Sequence, residues 1–224
     1  MARLVKTVDH LINDVIAAAK EYDTAETVLT DAWQRTSDLA RCEAEAREAK
    51  RRAAQVAIAI DGLADRASKE LGISKNQVRR QVAALCEIHG TKRDGCHDRV
   101  RAVANAYKHH DLHDKSLPIL SNDDVLAAGL GYGLDGYGVG KFSGVEILVN
   151  EKNGERRKFL GDVPWAIAGW FRFLRNHGAT FPASRYYACG LRVDGNPKPT
   201  TAVVINAIAP WNETGGVWKQ IPLT

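Results

Sequence analysis

The chain has 224 residues, 45% hydrophobic and 26% charged, a globular composition that excludes a disordered or fibrous chain. At roughly 150 residues per domain it makes one large or two small domains and can bury a sizeable core. The net charge of +4 is evenly spread, with 20 basic and 18 acidic residues in 1–115 and 11 and 9 in 116–224, so any anion-binding surface must be local. No apolar run is long enough for a membrane span, and Lys6, Asp9, His10 and Asp14 interrupt the stretch where a signal peptide would need its apolar core. Cys42, Cys86, Cys96 and Cys189 are scattered through a chain too large to need staples, which points to a reducing, cytoplasmic setting.

Residues 1–115 read as helix almost throughout. Leu4, Val5, Val8, Leu11, Ile12, Val15, Ile16 and Ala19 recur at three- and four-residue spacing and predict a first helix. Asp23 or Thr24 is expected to cap a second, running from Glu26 to about Lys69 and stopped by Gly72. Ser74 and Gln77 form a candidate capping box for a third helix, Lys75 to about Ile88. Gly90 and Gly95 bracket a polar loop, and Asp98 is placed to cap a fourth helix ending near His110. Short loops between four helices predict an antiparallel bundle.

After Pro118 the period changes. Residues 125–130, 145–150 and 156–160 read as strands, with Asn153-Gly154 as a hairpin turn between the last two. Asp162 is expected to cap a helix with Pro164 in its first turn, in which the spacing of Trp165, Trp170, Phe171 and Phe173 is that of core residues. A further strand is expected at 201–208, and 185–193 as strand or loop. The predicted fold is α+β: a helical bundle over 1–115, then a small, mostly antiparallel α+β domain over 120–224.

The fourth helix carries the leading candidate chemistry. At 100° per residue Arg101, Asn105, Lys108 and His109 share one face, opposite Val100, Val103 and Tyr107. Arginine and lysine neutralise a phosphate, histidine moves protons near pH 7, and asparagine orients either partner. Those are the parts of metal-independent RNA cleavage; the alternative is a solvated helix face. No cofactor and no metal are expected.

A bundle of about four helices with a late helix reading R-A-V-A-N-A-Y-K-H resembles the HEPN superfamily (higher eukaryotes and prokaryotes nucleotide-binding). The resemblance covers roughly residues 1–115. It implies a homodimeric ribonuclease of a toxin or antiphage system, with His109 as general acid or base, Arg101 and Lys108 on the phosphate and Asn105 positioning them. Seven residues separate Arg101 from His109 where the family has four to six, and Ala102 replaces the polar residue that often follows the arginine. The shared element is therefore Asn105-x-x-Lys108-His109.

The stretch 67–82, ASKELGISKNQVRRQV, is similar to a bacterial helix-turn-helix. Gly72 would make the tight turn, Ser74 would start the recognition helix, Val78 and Val82 would face inward, and Lys75, Asn76, Gln77 and Arg79 would be exposed, with Arg80 adding to a locally basic helix. This makes a DNA-binding regulator the second functional reading, and a non-catalytic protein-interaction module the third. A packed turn between two bundle helices explains the same residues.

Three weaker signals remain. Cys86, His89, Cys96 and His97 are four potential zinc ligands, but their spacing fits no common finger, and buried inert cysteines explain them as well. His110 is expected to be partly buried and His113 to lie past the helix end. The glycine-rich 129–144 is no Walker loop, because Asp135 stands where its first glycine belongs and Phe142 where its Ser or Thr belongs. Lys141 remains there as a candidate anion contact beside backbone N–H groups.

Overall fold

A computed structural model describes residues 4–109, 116–129, 144–195 and 206–207. The chain forms α1 (Val5–His10), which passes through a π turn at Leu11–Val15 into α2 (Ile16–Thr36), then α3 (Glu43–Leu71), α4 (Lys75–Ala84), a small hairpin of β1 (Glu87–Ile88) and β2 (Thr91–Lys92), and α5 (Cys96–Lys108). The second half contributes β3 (Val125–Gly129), β4 (Val145–Asn150), β5 (Arg156–Lys158), α6 (Phe159–Asn176), β6 (Arg185–Ala188), β7 (Leu191–Asp194) and β8 (Asn206–Ala207). The α+β class is as predicted, and the three-stranded sheets β3-β4-β5 and β6-β7-β8 are antiparallel.

The first break falls later than the sequence suggested. Neither Asp23 nor Thr24 caps a helix; the hydroxyls of Thr24 and Thr27 donate back to the carbonyls of Lys20 and Asp23 inside α2. Buried Tyr22, Ala25, Glu26 and Leu29 continue the stripe of Val15 and Ala19, so packing carries the helix through. It ends at Ser37, which takes the left-handed conformation (φ 50°), and Asp38 accepts a hydrogen bond from the Ala40 amide. Gly72 (φ 68°) ends α3, and Ser74 starts α4 by accepting from the Gln77 amide. The third helix stops at Ala84, and β1–β2 occupies what was expected to be its last turn and a loop.

Alanines make α3 a close-packing rod: Ala46, Ala49, Ala53, Ala57, Ala64 and Ala67 are buried among Val56, Ile60 and Leu63. It packs against α2 on one side and α5 on the other, while α6 lies across α3, α4 and α5. One buried cluster runs from Leu4 to Val193, so the helix-to-sheet change after residue 109 does not interrupt the core. Among the described residues no helix is long and apolar enough to cross a membrane.

Asp162 is a second departure. The helix begins at Phe159, and Asp162, fully buried, is not its cap but an ion-pair partner of Arg93 and Arg99. Arg99 also reaches Glu151 on the β4–β5 turn, which ties α5 to α6 and to the sheet. In that turn Gly154 has φ 84° and the Glu151 amide donates to the Glu155 carbonyl, as Asn153-Gly154 predicted.

Candidate functional site

The candidate face belongs to α5, and its exposure follows from how that helix is packed. Cys96, Val100, Val103, Ala104 and Ala106 go into the core against α3 and α6. Asp98, Arg101, Asn105 and Lys108 are left on the outer side at spacings of three, four and three. Arg101 and Asn105 are half-buried, while Lys108 and His109 are exposed. Arg101 and Lys108 are two turns apart, about 10 Å along the axis.

His109 differs from its expected place. It stands just beyond α5 in extended backbone (φ −127°, ψ 136°), its amide donating to the Asn105 carbonyl at 3.0 Å. The helix therefore delivers Asn105 and Lys108 from regular backbone and His109 from the first residue outside it. His110, His113 and Lys141 lie outside the described residues.

The Lys108 ammonium is held by Asp61 of α3, with Nζ 3.0 Å from Oδ2. The other carboxylate oxygen, Oδ1, accepts from Arg79 Nη2 of α4 at 2.7 Å. Burial pushes the Asp61 carboxyl up, but the Arg79 charge and the Lys108 hydrogen bond and charge outweigh it and hold it below its ordinary value. Two residues assigned to separate candidate surfaces thus meet on one carboxylate.

That pairing changes the reading of α4. Val78 and Val82 are buried, and Asn76, Gln77 and Arg80 are exposed, as a recognition helix requires. Arg79 is instead turned inward, its side chain 14% exposed, and Lys75 pairs with Asp65 of α3. The helix packs on α3, α5 and α6 through Val78 and Val82, and leaves Asn76, Gln77, Arg80, Ala83 and Ala84 exposed on its other side.

On the buried side of α5, His97 packs 6.5 Å from Trp170, ring centre to ring centre. Burial pushes the pKa of the imidazole down from 6.5 to about 4. Its Nδ1 and the Trp170 indole nitrogen have no hydrogen-bond partner. Cys86 and Cys96 are buried, and a hydrogen bond between their side chains, with burial, raises the Cys86 thiol pKa. His89 sits exposed on the β1–β2 turn. Among the described residues no three histidine, cysteine or carboxylate side chains converge as metal ligands.

Asp61 and Glu26 are the two residues that reading the sequence for chemistry passed over. Both were legible as acids on an apolar stripe, Asp61 among Ala57, Ile60 and Ala64, and Glu26 among Tyr22, Ala25 and Leu29. Comparison with protein-family models, curated proteins and solved structures finds no match to this chain.

Proposed function

We propose that this protein acts on RNA as a metal-independent endoribonuclease, with the α5 face as its site. The observation that carries the reading is the adjacency of exposed Lys108 and His109 at the end of α5, one turn beyond Asn105. His109 takes the proton of a ribose 2′-hydroxyl, whose oxygen attacks the adjoining phosphorus. The P–O5′ bond breaks, and a proton returned to the 5′-oxygen completes the step, leaving a 2′,3′-cyclic phosphate and a 5′-hydroxyl. Lys108 and Arg101 neutralise charge building on the phosphate, and Asn105 orients its neighbours.

The HEPN resemblance supports a cytoplasmic homodimer of a toxin or antiphage system, in which a second copy of the face supplies the returning proton. The test is cleavage of a labelled single-stranded oligoribonucleotide in EDTA. The expected result is cyclic-phosphate product from wild type and a loss of about 10²-fold or more in His109→Ala. Undiminished cleavage by His109→Ala removes the assignment.

A second reading, duplex DNA binding through α4, is favoured by one feature: the Gly72–Ser74 turn leaves Asn76, Gln77 and Arg80 exposed on one face. Arg80→Glu should then weaken binding and lower its salt slope by about one ion. Equal binding by the variant ends this reading.

A further inference from the structure

Asp61 occupies a position that packing alone would give to an apolar residue. It lies mid-helix on the buried stripe of α3, its side chain 5% exposed, and nearby Ile60 and Ala64 are core. A carboxylate taken out of water is costly unless paired, and an apolar residue of similar size is frequently as stable there. Here both oxygens are used, one by Arg79 and one by Lys108, on two different helices. The two partners differ in exposure. The Arg79 side chain is 14% exposed and anchors the carboxylate from within, whereas Lys108 is 30% exposed and lies at the solvent edge beside His109.

We propose that Asp61 is a positioning residue: fixed from the inner side by Arg79, its carboxylate holds the Lys108 ammonium at one place on the α5 face, where the phosphate of a single-stranded RNA arrives. This rests on the RNA reading given above. An unrestrained lysine has four rotatable carbons and sweeps a wide volume, so its charge is a poor local feature until something tethers it. A charge-assisted hydrogen bond to an anchored carboxylate supplies that tether. The carboxylate removes one unit of charge from the site but leaves the triad of Arg79, Asp61 and Lys108 at net +1 while all three are ionised, still matched to a phosphodiester.

This makes binding and turnover respond in opposite directions. Asp61→Asn takes away one negative charge beside the strand, so RNA binding should tighten with a steeper salt dependence. The freed ammonium is no longer held in place, so kcat should fall about 10-fold or more. Asp61→Glu, which keeps the charge, should recover part of kcat. A purely structural role gives the opposite pattern, with binding and turnover falling together as the fold loosens.

The experiment measures Kd and kcat on a fluorescein-labelled single-stranded oligoribonucleotide for wild type, Asp61→Asn and Asp61→Glu. Beside it, acetic anhydride labelling read by mass spectrometry reports Lys108 directly, with exposed Lys92 as internal control. Lys108 should label up to about fivefold faster in Asp61→Asn, the scale of a partly exposed ion pair. If Asp61→Asn does not fold, Arg79→Gln loosens the same carboxylate and should raise Lys108 labelling while lowering kcat. Wild type that cuts RNA beside a folded Asp61→Asn with unchanged kcat overturns the role of Asp61 alone. In the Arg79→Gln arm, unchanged labelling and kcat do the same. Wild type that neither binds nor cuts RNA overturns the parent reading and this one with it.

Discussion

Arg99 of α5 and Asp162 of α6 are locked together by two hydrogen bonds, Nε to Oδ2 at 2.8 Å and Nη2 to Oδ1 at 2.9 Å, and Asp162 is fully buried. The fork of the guanidinium matches the two carboxylate oxygens, and Glu151 and Arg93 complete a set of two cations and two anions. Burial works against the Arg99 charge, but the Asp162 and Glu151 contacts outweigh it and raise its pKa above the ordinary arginine value. This set holds α5, which carries the candidate face, against α6 and the β4–β5 turn.

Removing one member should expose the cost of burying the rest. Asp162→Asn leaves two buried or half-buried arginines short of a charge, and the expected loss is about 3–5 kcal/mol in urea unfolding. The double variant Arg99→Met, Asp162→Leu should lose less than the two single changes summed, because removing one cation and one anion together leaves Arg93 and Glu151 with balanced opposite charges, whereas each single change leaves an excess of one sign. Additive losses would mean the pair is not coupled.

The contact between α4 and α6 depends on a glycine. A Cβ built on Gly169 would sit 2.8 Å from Cys86 Sγ and 3.1 Å from the Val82 carbonyl oxygen, and neither neighbour can swing away freely. Gly169→Ala gains helix propensity, about 1 kcal/mol, but must push two packed helices apart. Net destabilisation of about 1–2 kcal/mol by thermal unfolding is the expected outcome, and a stabilised protein would show that the helices can separate.

What could be read in the sequence was what local period controls. The stripe of Val8, Leu11, Val15, Ile16 and Ala19, the buried Val100 and Val103 of α5, the Gly72 and Ser74 boundary and the Asn153-Gly154 turn follow from side-chain spacing and backbone preference and are found as expected, whereas Val5, on the expected stripe, is exposed. The errors share a cause. Asp23, Asp98 and Asp162 all look like caps because aspartate near a helix start usually is one, yet Asp23 lies mid-helix, Asp98 lies inside the first turn of a helix that starts after Gly95, and Asp162 serves partners 63 and 69 residues away. The same holds at the candidate site, where the polar stripe of α5 was legible but its tie to Asp61 spans 47 residues. Non-local pairing leaves only one trace in sequence, a charged residue on a stripe that should be apolar.

Glu26 is the second such residue, and its role is to replace a missing strand. β5 pairs with β4 only along Leu148–Asn150, so the neighbouring groups of Val145 and Ile147 on that edge lack a strand. The Thr30 hydroxyl donates to the Val145 carbonyl at 3.2 Å, and the Ile147 amide donates to Glu26 Oε1 at 3.1 Å. The Tyr22 hydroxyl donates to the same carboxylate oxygen at 2.5 Å. Glu26→Leu should cost about 1–3 kcal/mol by leaving that amide unpaired, with Glu26→Gln in between, measured by chemical denaturation. Amide exchange at Ile147 should quicken in the leucine variant alone, and unchanged exchange there would refute the pairing.

Acid should destabilise the protein through His97. Burial lowers its pKa from 6.5 to about 4, with Arg79 and Arg101 pushing the same way and Asp98 and Asp61 opposing. The unfolded chain takes up the proton below about pH 6.5 and the folded protein only below about pH 4. Between these values the unfolded state binds more protons, so stability rises with pH across the window and is lost as pH falls through it. At 1.36 kcal/mol per unit the loss is on the order of 3 kcal/mol. Carboxylates held below their ordinary pKa, such as Asp61, lose their contribution lower, as pH falls through the folded value. His97→Phe keeps a ring against Trp170, removes the titrating group and leaves no unpaired Nδ1. Its urea-unfolding free energy, followed from pH 8 to pH 4.5, should be flatter than that of wild type, with the two curves diverging below about pH 6.5. Parallel curves would mean that the folded protein binds the His97 proton as readily as the unfolded chain.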